Sequence, residues 1–237
     1  MKSALVIGAS RGIGRQICLT LASHGYNVTV AAKSVEETDK RPGTIHTVSE
    51  EVELYDVKAL PVKCDVRSIS DINNSVSATI ASFGQLDFAI YNAGAILWRP
   101  VAQTPLKRFD LMHEVNSKGA YAMVQAVLPH FLEKKHGRIL LIAPPIYSRF
   151  FKGKTPYAMT KVGASVLVHG LADELKGTGV TISALWPAVT TESHVTKVNH
   201  IERSMMRNAC LFADACYVIG KFVCTSVRDA AFRVIFQ

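Results

Sequence analysis

Ser3-Ala4-Leu5-Val6-Ile7-Gly8-Ala9-Ser10-Arg11-Gly12-Ile13-Gly14 opens the chain and decides its fold. The run from Ala4 to Ile7 is apolar without alternation, the pattern of a strand covered on both faces. A Gly-rich turn follows at once, and Gly12–His24 reads as a helix. Gly8 permits a tight turn, Gly12 lets the backbone approach a pyrophosphate, and Gly14 lets the helix pack closely on the sheet. The helix N-terminus then offers free N–H groups and the positive end of its dipole to phosphates. Gly-rich turns are common, so the pattern alone is weak. The strand before it and the helix after it make it a dinucleotide-binding turn, completed by Ser10, Arg11 and Ile13.

Outward from this unit, strand-like and helix-like runs alternate. Strands are expected at Ala4–Ile7, Asn27–Ala31, Ala59–Lys63, Phe88–Tyr91, Arg138–Ile142 and Thr181–Leu185. Helices are expected at Gly12–His24, Thr47–Tyr55, Ile69–Phe83, Pro105–Lys134, Pro156–Lys176 and Ile201–Ile219. This order predicts an α/β protein, a single doubly wound Rossmann-type domain over residues 1–237, with a mainly parallel sheet of six or seven strands flanked by helices. A seventh strand could come from Phe222–Thr225 or from Arg233–Phe236. Glu36–Gly43 and Thr190–Asn199 read as loops, the second overlying the strand C-termini where ligands bind in such folds.

Composition narrows the classes. An apolar content of 49% over 237 residues suits a largely buried sheet. No apolar run is long enough to span a bilayer, and a strand starting at Ser3 leaves no room for a signal peptide, so a cytoplasmic protein is expected. The five cysteines, Cys18, Cys64, Cys210, Cys216 and Cys224, form no CxxC pair, which argues for reduced thiols and against a metal site. The net charge of +8 is spread among acidic residues, as in Glu133-Lys134-Lys135. That distribution argues against a nucleic-acid partner and leaves part of the charge for an anionic cofactor.

The end of the second strand reads Ala31-Ala32-Lys33-Ser34. An acid there would hydrogen-bond the ribose hydroxyls of NAD; Lys33, with Arg11 in the turn, favours a 2′-phosphate and hence NADP. Far downstream stands Tyr157-Ala158-Met159-Thr160-Lys161. A free phenol titrates near pH ~10, and an ammonium four residues on, on the same helix face, is expected to lower that value together with the charge of the oxidised nicotinamide. With a hydride from the cofactor, Tyr157 is the natural proton donor to a carbonyl oxygen.

On these residues the chain resembles the short-chain dehydrogenase/reductase family over nearly its whole length. The resemblance implies that Asp65, followed by Val66, contacts the adenine. It implies that Asn92-Ala93-Gly94 closes the cofactor site, that Asn116 anchors a water in the proton relay, and that Lys161 also holds the nicotinamide ribose. Pro187, Val189 and Thr190 would begin the loop over the nicotinamide, although Ala188 replaces the Gly usual there. Four segments point to one subgroup, in which a sterol-carrier domain often follows: Val30–Lys33, Gly43–Thr47, Thr104–Met112 and Ala184–Pro187. The tail Thr225–Gln237 departs from the family pattern.

The largest departure is at Ile142-Ala143-Pro144-Pro145. The family carries a substrate-binding Ser there, and neither Ala143 nor Pro144 has a hydroxyl. Pro144 and Pro145 also lack backbone N–H groups. Loss of one oxyanion donor costs ~10²–10³ in rate. Ser148 or Tyr147 could supply a hydroxyl from the following loop. Ile96, Leu97, Trp98, Phe150, Phe151, Trp186, Met205 and Met206 suggest an apolar small-molecule substrate, or simply core. The resemblance also implies a homodimer or homotetramer through Pro105–Lys134 and Pro156–Lys176, with Val162, Val166, Val168 and Leu171 as apolar contacts. An NADPH-dependent reductase or dehydrogenase is the first reading. A cofactor-binding protein without turnover, or a non-redox isomerase or cyclase, remains open because of the missing Ser.

Overall fold

The computed structural model describes residues 1–38, 42–143 and 151–187, and the short strands at 190–191, 206–207 and 232–235. Ser3–Ile7 (β1), Asn27–Ala32 (β2), Ala59–Lys63 (β3), Phe88–Tyr91 (β4), Gly137–Ile142 (β5) and Val180–Pro187 (β6) pair in parallel. Thr190–Thr191 (β7) and Met206–Arg207 (β8) form a separate pair, and Phe232–Ile235 (β9) joins the main sheet. The sheet order is β3-β2-β1-β4-β5-β6-β9, with β9 antiparallel to β6. Of the two expected sources of a seventh strand, the second supplies it. The doubly wound α/β sheet is as the sequence implies.

Burial explains these strands. Ala4, Leu5, Val6 and Ile7 are fully covered, and β2 and β4 are buried along their whole length. The edge strand β3 is partly open along most of its length, and it carries a proline at its centre, Pro61. Two cores result, one on each face. Gly12–Ser23 (α1) and Ile45–Glu53 (α2) bring Ile17, Cys18, Leu21, Val48 and Val52 against one face. Ile69–Phe83 (α3), Gly119–Lys134 (α5) and Thr155–Glu174 (α6) bring Ile72, Val76, Val127, Phe131, Ala164 and Val168 against the other. Cys18 and Cys64 are free thiols within these cores.

Helix boundaries follow their caps. Helix α2 starts at Ile45 and not at Thr47. Thr44 caps it, accepting from the His46 and Thr47 amides at 3.2 and 3.1 Å while Thr47 Oγ1 accepts from the Thr44 amide at 2.9 Å. This is a reciprocal capping box with Thr in place of the usual Glu or Gln. Ser68 caps α3, and Gly84 closes it at φ 77°. The single helix expected over Pro105–Lys134 is instead Leu106–His113 (α4), a π turn at Glu114–Lys118, and α5. The turn is held from outside: Tyr91 Oη donates to the Val115 carbonyl at 2.5 Å, and Ser117 Oγ to the Thr160 carbonyl at 2.5 Å.

Two expectations near the C-terminus need correction. Thr190–Thr191 and Met206–Arg207 were expected in a loop and a helix, yet they pair as parallel strands. Backbone pairing with Thr190–Thr191 overrides the local helical pattern at Met206. The remainder of Ile201–Ile219, Phe222–Thr225, and Cys210, Cys216 and Cys224 lie outside the described residues. Among the described residues no helix is long and apolar enough to cross a membrane, and no His/Cys/Asp/Glu cluster could hold a metal ion.

Candidate active site

The site is built at the C-terminal ends of the strands, where β1 lies between β2 and β4 and the chain winds to both sides. Gly8 and Ala9 donate to the Ala31 carbonyl at 2.8 and 3.1 Å, while Asn92 and Ala93 donate to the Ile7 carbonyl at 2.9 and 3.0 Å. Gly8 has φ +88°, and a Cβ there would lie 2.5 Å from the Ala93 nitrogen. A Cβ on Gly14 would strike the Gly8 carbonyl oxygen. That same oxygen accepts from Asn92 Nδ2 at 2.9 Å. Asn92 therefore braces the turn with its amide.

Helix α1 starts without a side-chain cap and without an acid in its first turn, so its positive end is left for an anion. Ser10 is buried beneath the turn. Arg11 reaches across the end of β2: Nη2 donates to Ser34 Oγ at 2.8 Å and to the Gly43 carbonyl at 3.3 Å, and Nε to the Pro42 carbonyl at 3.2 Å. Lys33, next to Ser34 in the chain, is exposed.

Past β3, Asp65 is gripped by a residue the sequence reading passed over. Arg67 Nε donates to Oδ1 and Oδ2 at 3.0 and 3.1 Å, and Nη2 to Oδ2 at 2.5 Å. The Arg67 hydrogen bonds, aided by the charge of Lys33, hold the Asp65 carboxyl below the usual carboxylate range. The spacing Asp65-Val66-Arg67 was the available signal. Val66 packs against Gly119, where a Cβ would come 3.2 Å from the Val66 Cβ.

Tyr157 and Lys161 sit one turn apart on α6, 8% and 7% exposed. Lys161 Nζ donates to the Ile142 carbonyl at 2.7 Å, tying the helix to the end of β5. Gly94 leaves room beside it, since a Cβ there would be 4.0 Å from Nζ and 3.6 Å from Asn116 Oδ1. Burial lowers the Lys161 ammonium to about 8 and pushes the Tyr157 phenol up. Desolvation of the phenolate is the cause of that rise.

Asn116, 1% exposed, has its amide committed to protein. Oδ1 accepts from the Ala95 amide at 2.9 Å, and Nδ2 donates to the Ala95 carbonyl and to Thr160 Oγ1, each at 2.9 Å. The side chain braces the loop after β4 and has no N–H left for a water. Ala143 is buried with its amide on the Leu185 carbonyl at 3.1 Å, which puts a side chain without a hydroxyl at the end of β5. Ile96, Leu97, Trp98 and Phe151 are half-buried, and Lys154 Nζ lies 4.9 Å from the Trp98 ring centroid. Pro144, Pro145, Tyr147, Ser148, Phe150, Val189 and Met205 lie outside the described residues, as do the side chains of Trp186, Pro187, Thr190 and Met206.

A model of the short chain dehydrogenase family matches residues 2–203. The chain belongs to the short-chain dehydrogenase/reductase family. It is 37% identical over 222 residues to hydroxysteroid dehydrogenase-like protein 2 of Danio rerio, covering 91% of this chain and 53% of that one. The Homo sapiens protein of the same name is 38% identical over 223 residues, with 92% and 53% covered. The chain therefore spans about half the length of the curated relatives it matches. A solved structure of a putative dehydrogenase from Xanthomonas campestris superposes with a TM-score of 0.87 at 37% identity, over 97% of this chain and 84% of that one. The family resemblance carried by Gly8–Gly14, Asn92–Gly94, Tyr157 and Lys161 is borne out.

The buried ammonium has a measurable signature. An unperturbed Lys titrates at 10.5, against about 8 for Lys161 in the fold. Between these values the unfolded chain keeps the proton and the folded protein does not, so this residue makes stability rise with pH across that window. Below it both states are protonated and the folded state bears the full cost of the charge. Relative to Lys161→Met, the wild type should gain ~2–3 kcal/mol of unfolding free energy from about pH 7 to about pH 10.5. Urea unfolding of both proteins checks this; a pH-independent difference would mean an ordinary lysine.

Proposed function

We propose that the protein is an NADPH-dependent oxidoreductase, acting as one domain over residues 1–237, that interconverts a carbonyl and an alcohol on an apolar small molecule. The observation that carries this reading is the buried Tyr157–Lys161 pair, with Lys161 anchored on Ile142 beside the Gly8–Gly14 cradle. That cradle has no room for a Cβ at Gly8 or Gly14, which supports close approach of a pyrophosphate. When bound, NADPH supplies the hydride to the carbonyl carbon.

In the reductive direction, Tyr157 Oη donates its proton to the developing alkoxide and is left as phenolate. Lys161, charged below its pKa of about 8, stabilises that phenolate. Solvent returns the proton to the phenol, so the net change is one hydride and one proton added across the carbonyl. Asn116 holds the neighbouring loop in place. Ser148 is proposed as the hydroxyl that replaces the one missing at Ala143. Free Cys18 and Cys64 fit a reducing compartment, and a cytoplasmic location forms part of the proposal.

Tyr157→Phe should abolish turnover of a ketone and aldehyde panel while leaving NADPH affinity nearly unchanged. Full activity in that variant would end the oxidoreductase reading and leave a cofactor-binding protein. Ser148→Ala should cost about 10²-fold in kcat.

The preference for NADP rests on Arg11, fixed across the end of β2 by Ser34, Pro42 and Gly43, with exposed Lys33 next to Ser34 in the chain and no acid among Ala31–Ser34. Charge-assisted bonds to a phosphate contribute roughly 1.5–3 kcal/mol each. Titration should show NADPH binding at least ~10-fold tighter than NADH, and Arg11→Ala or Lys33→Ala should narrow the gap. Equal affinities in the wild type would refute the preference.

Assembly as a homodimer or homotetramer is also proposed, through outer faces that differ in part from those expected. Val168 and Leu171 belong to the core, whereas Tyr121 and Leu132 on α5 and Met159 and Val166 on α6 are exposed. Sedimentation should give an oligomer that Val166→Glu dissociates; a wild-type monomer at micromolar concentration would remove this claim.

A further inference from the structure

Within the motif Tyr157–Lys161 one polar side chain has so far had no task. Thr160 is 1% exposed on the interior of α6. A β-branched hydroxyl residue in a helix interior lowers helix propensity and competes with the helix for its own carbonyls. Thr160 does so at a particular place. Its Oγ1 donates to the Tyr157 carbonyl at 2.8 Å and accepts from Asn116 Nδ2 at 2.9 Å. Its own carbonyl accepts from Ser117 Oγ at 2.5 Å.

These bonds form one chain. Ala95, in the loop after β4, is clamped on both sides by the Asn116 amide. The second N–H of that amide passes to Thr160, and the Thr160 hydroxyl passes to the backbone of Tyr157. The π turn lets the consecutive residues Asn116 and Ser117 both reach Thr160, one at its hydroxyl and one at its carbonyl. Each donor is spent: both N–H groups of Asn116, the hydroxyl of Ser117 and the hydroxyl of Thr160. A relay with no spare donor has one low-energy arrangement, which suits it to fixing a position.

We propose that Thr160 is a positioning residue for Tyr157: it locks the turn that carries the phenol to the π turn and to the loop after β4, and Asn116 acts on the reaction through it. The inference rests on the oxidoreductase reading for its kinetic consequence, though not for its structural one. It distinguishes Thr160 from an ordinary core residue, whose hydroxyl would be replaceable by a methyl at little cost to the phenol's placement. A displaced acid loses rate steeply, because small errors of alignment cost orders of magnitude.

The test uses the full chain with Thr160→Val, which keeps the shape and removes the hydroxyl, Thr160→Ala, which leaves space for a water, and Thr160→Ser, which keeps the hydroxyl. Fluorine NMR of protein labelled with 3-fluorotyrosine reports the Tyr157 ring, its resonance assigned by Tyr157→Phe. Thr160→Val should shift or broaden that resonance and lower kcat about 10–100-fold, with NADPH affinity unchanged, and Thr160→Ser should restore both. Wild-type resonance and kcat in Thr160→Val or Thr160→Ala would overturn the inference. So would a loss of NADPH affinity that parallels the loss of kcat, since that marks general damage. If Thr160→Val does not fold, Thr160→Ala decides; if neither folds, Thr160 is a stability residue and the inference falls. Should the wild type reduce nothing on the panel, the oxidoreductase reading fails separately, and the fluorine resonance still decides the placement.

Discussion

The Gly8 carbonyl oxygen is where the molecule is most tightly constrained. Helix α1 leaves no room for a Cβ at Gly14 against it, and Asn92 at the end of β4 donates to it. The next turn of chain, at Ala93, approaches the Gly8 backbone so closely that a methyl there would have no space. Two segments distant in sequence, the turn from Gly8 to Gly14 and the stretch Asn92–Ala93, are thereby fixed around one peptide unit. The register of β1 between β2 and β4, the start of α1 and the path of the loop that reaches Asn116 all follow from it. Substitution at either glycine would disturb the phosphate cradle and the loop beside the phenol together.

The second constraint is electrostatic. Placing a phenol and an ammonium in a dry setting raises one titration and lowers the other, so each is held away from its charged form. A hydrogen bond to the Ile142 carbonyl partly compensates the ammonium. Functional sites commonly retain such unfavourable groups because the fold elsewhere is stable enough to carry them. Here the surplus comes from two apolar layers with a sheet buried on both sides.

Much of this was legible in the residues, and the failures have identifiable causes. Strands β1, β2 and β4 were readable because burial on both faces leaves uninterrupted apolar runs. The start of α2 was misplaced because Thr44 and Thr47 form a capping box without an acid. The π turn has no sequence signature: one surplus residue is tolerated because Tyr91 and Thr160 hold the turn from other elements. Asn92 and Asn116 were recognised as motif residues, but their amides brace backbone, which spacing does not reveal. Arg67 was missed although it stands two residues from Asp65, because an adjacent cation looks like solvated surface until its guanidinium is seen across both carboxylate oxygens.

Pro61 bears on a different property of the molecule. It lies in β3, the outermost parallel strand, paired in register with Val30. A proline interrupts the row of amide donors that a bare sheet edge otherwise offers to another chain. Lys58 precedes the same strand and Lys63 ends it, and both add like charge to any copy approaching side by side. The long stack of buried, apolar, parallel strands is the kind of sequence that aggregates when its edge is left open, and this edge is guarded against that outcome by chemistry already written into the strand.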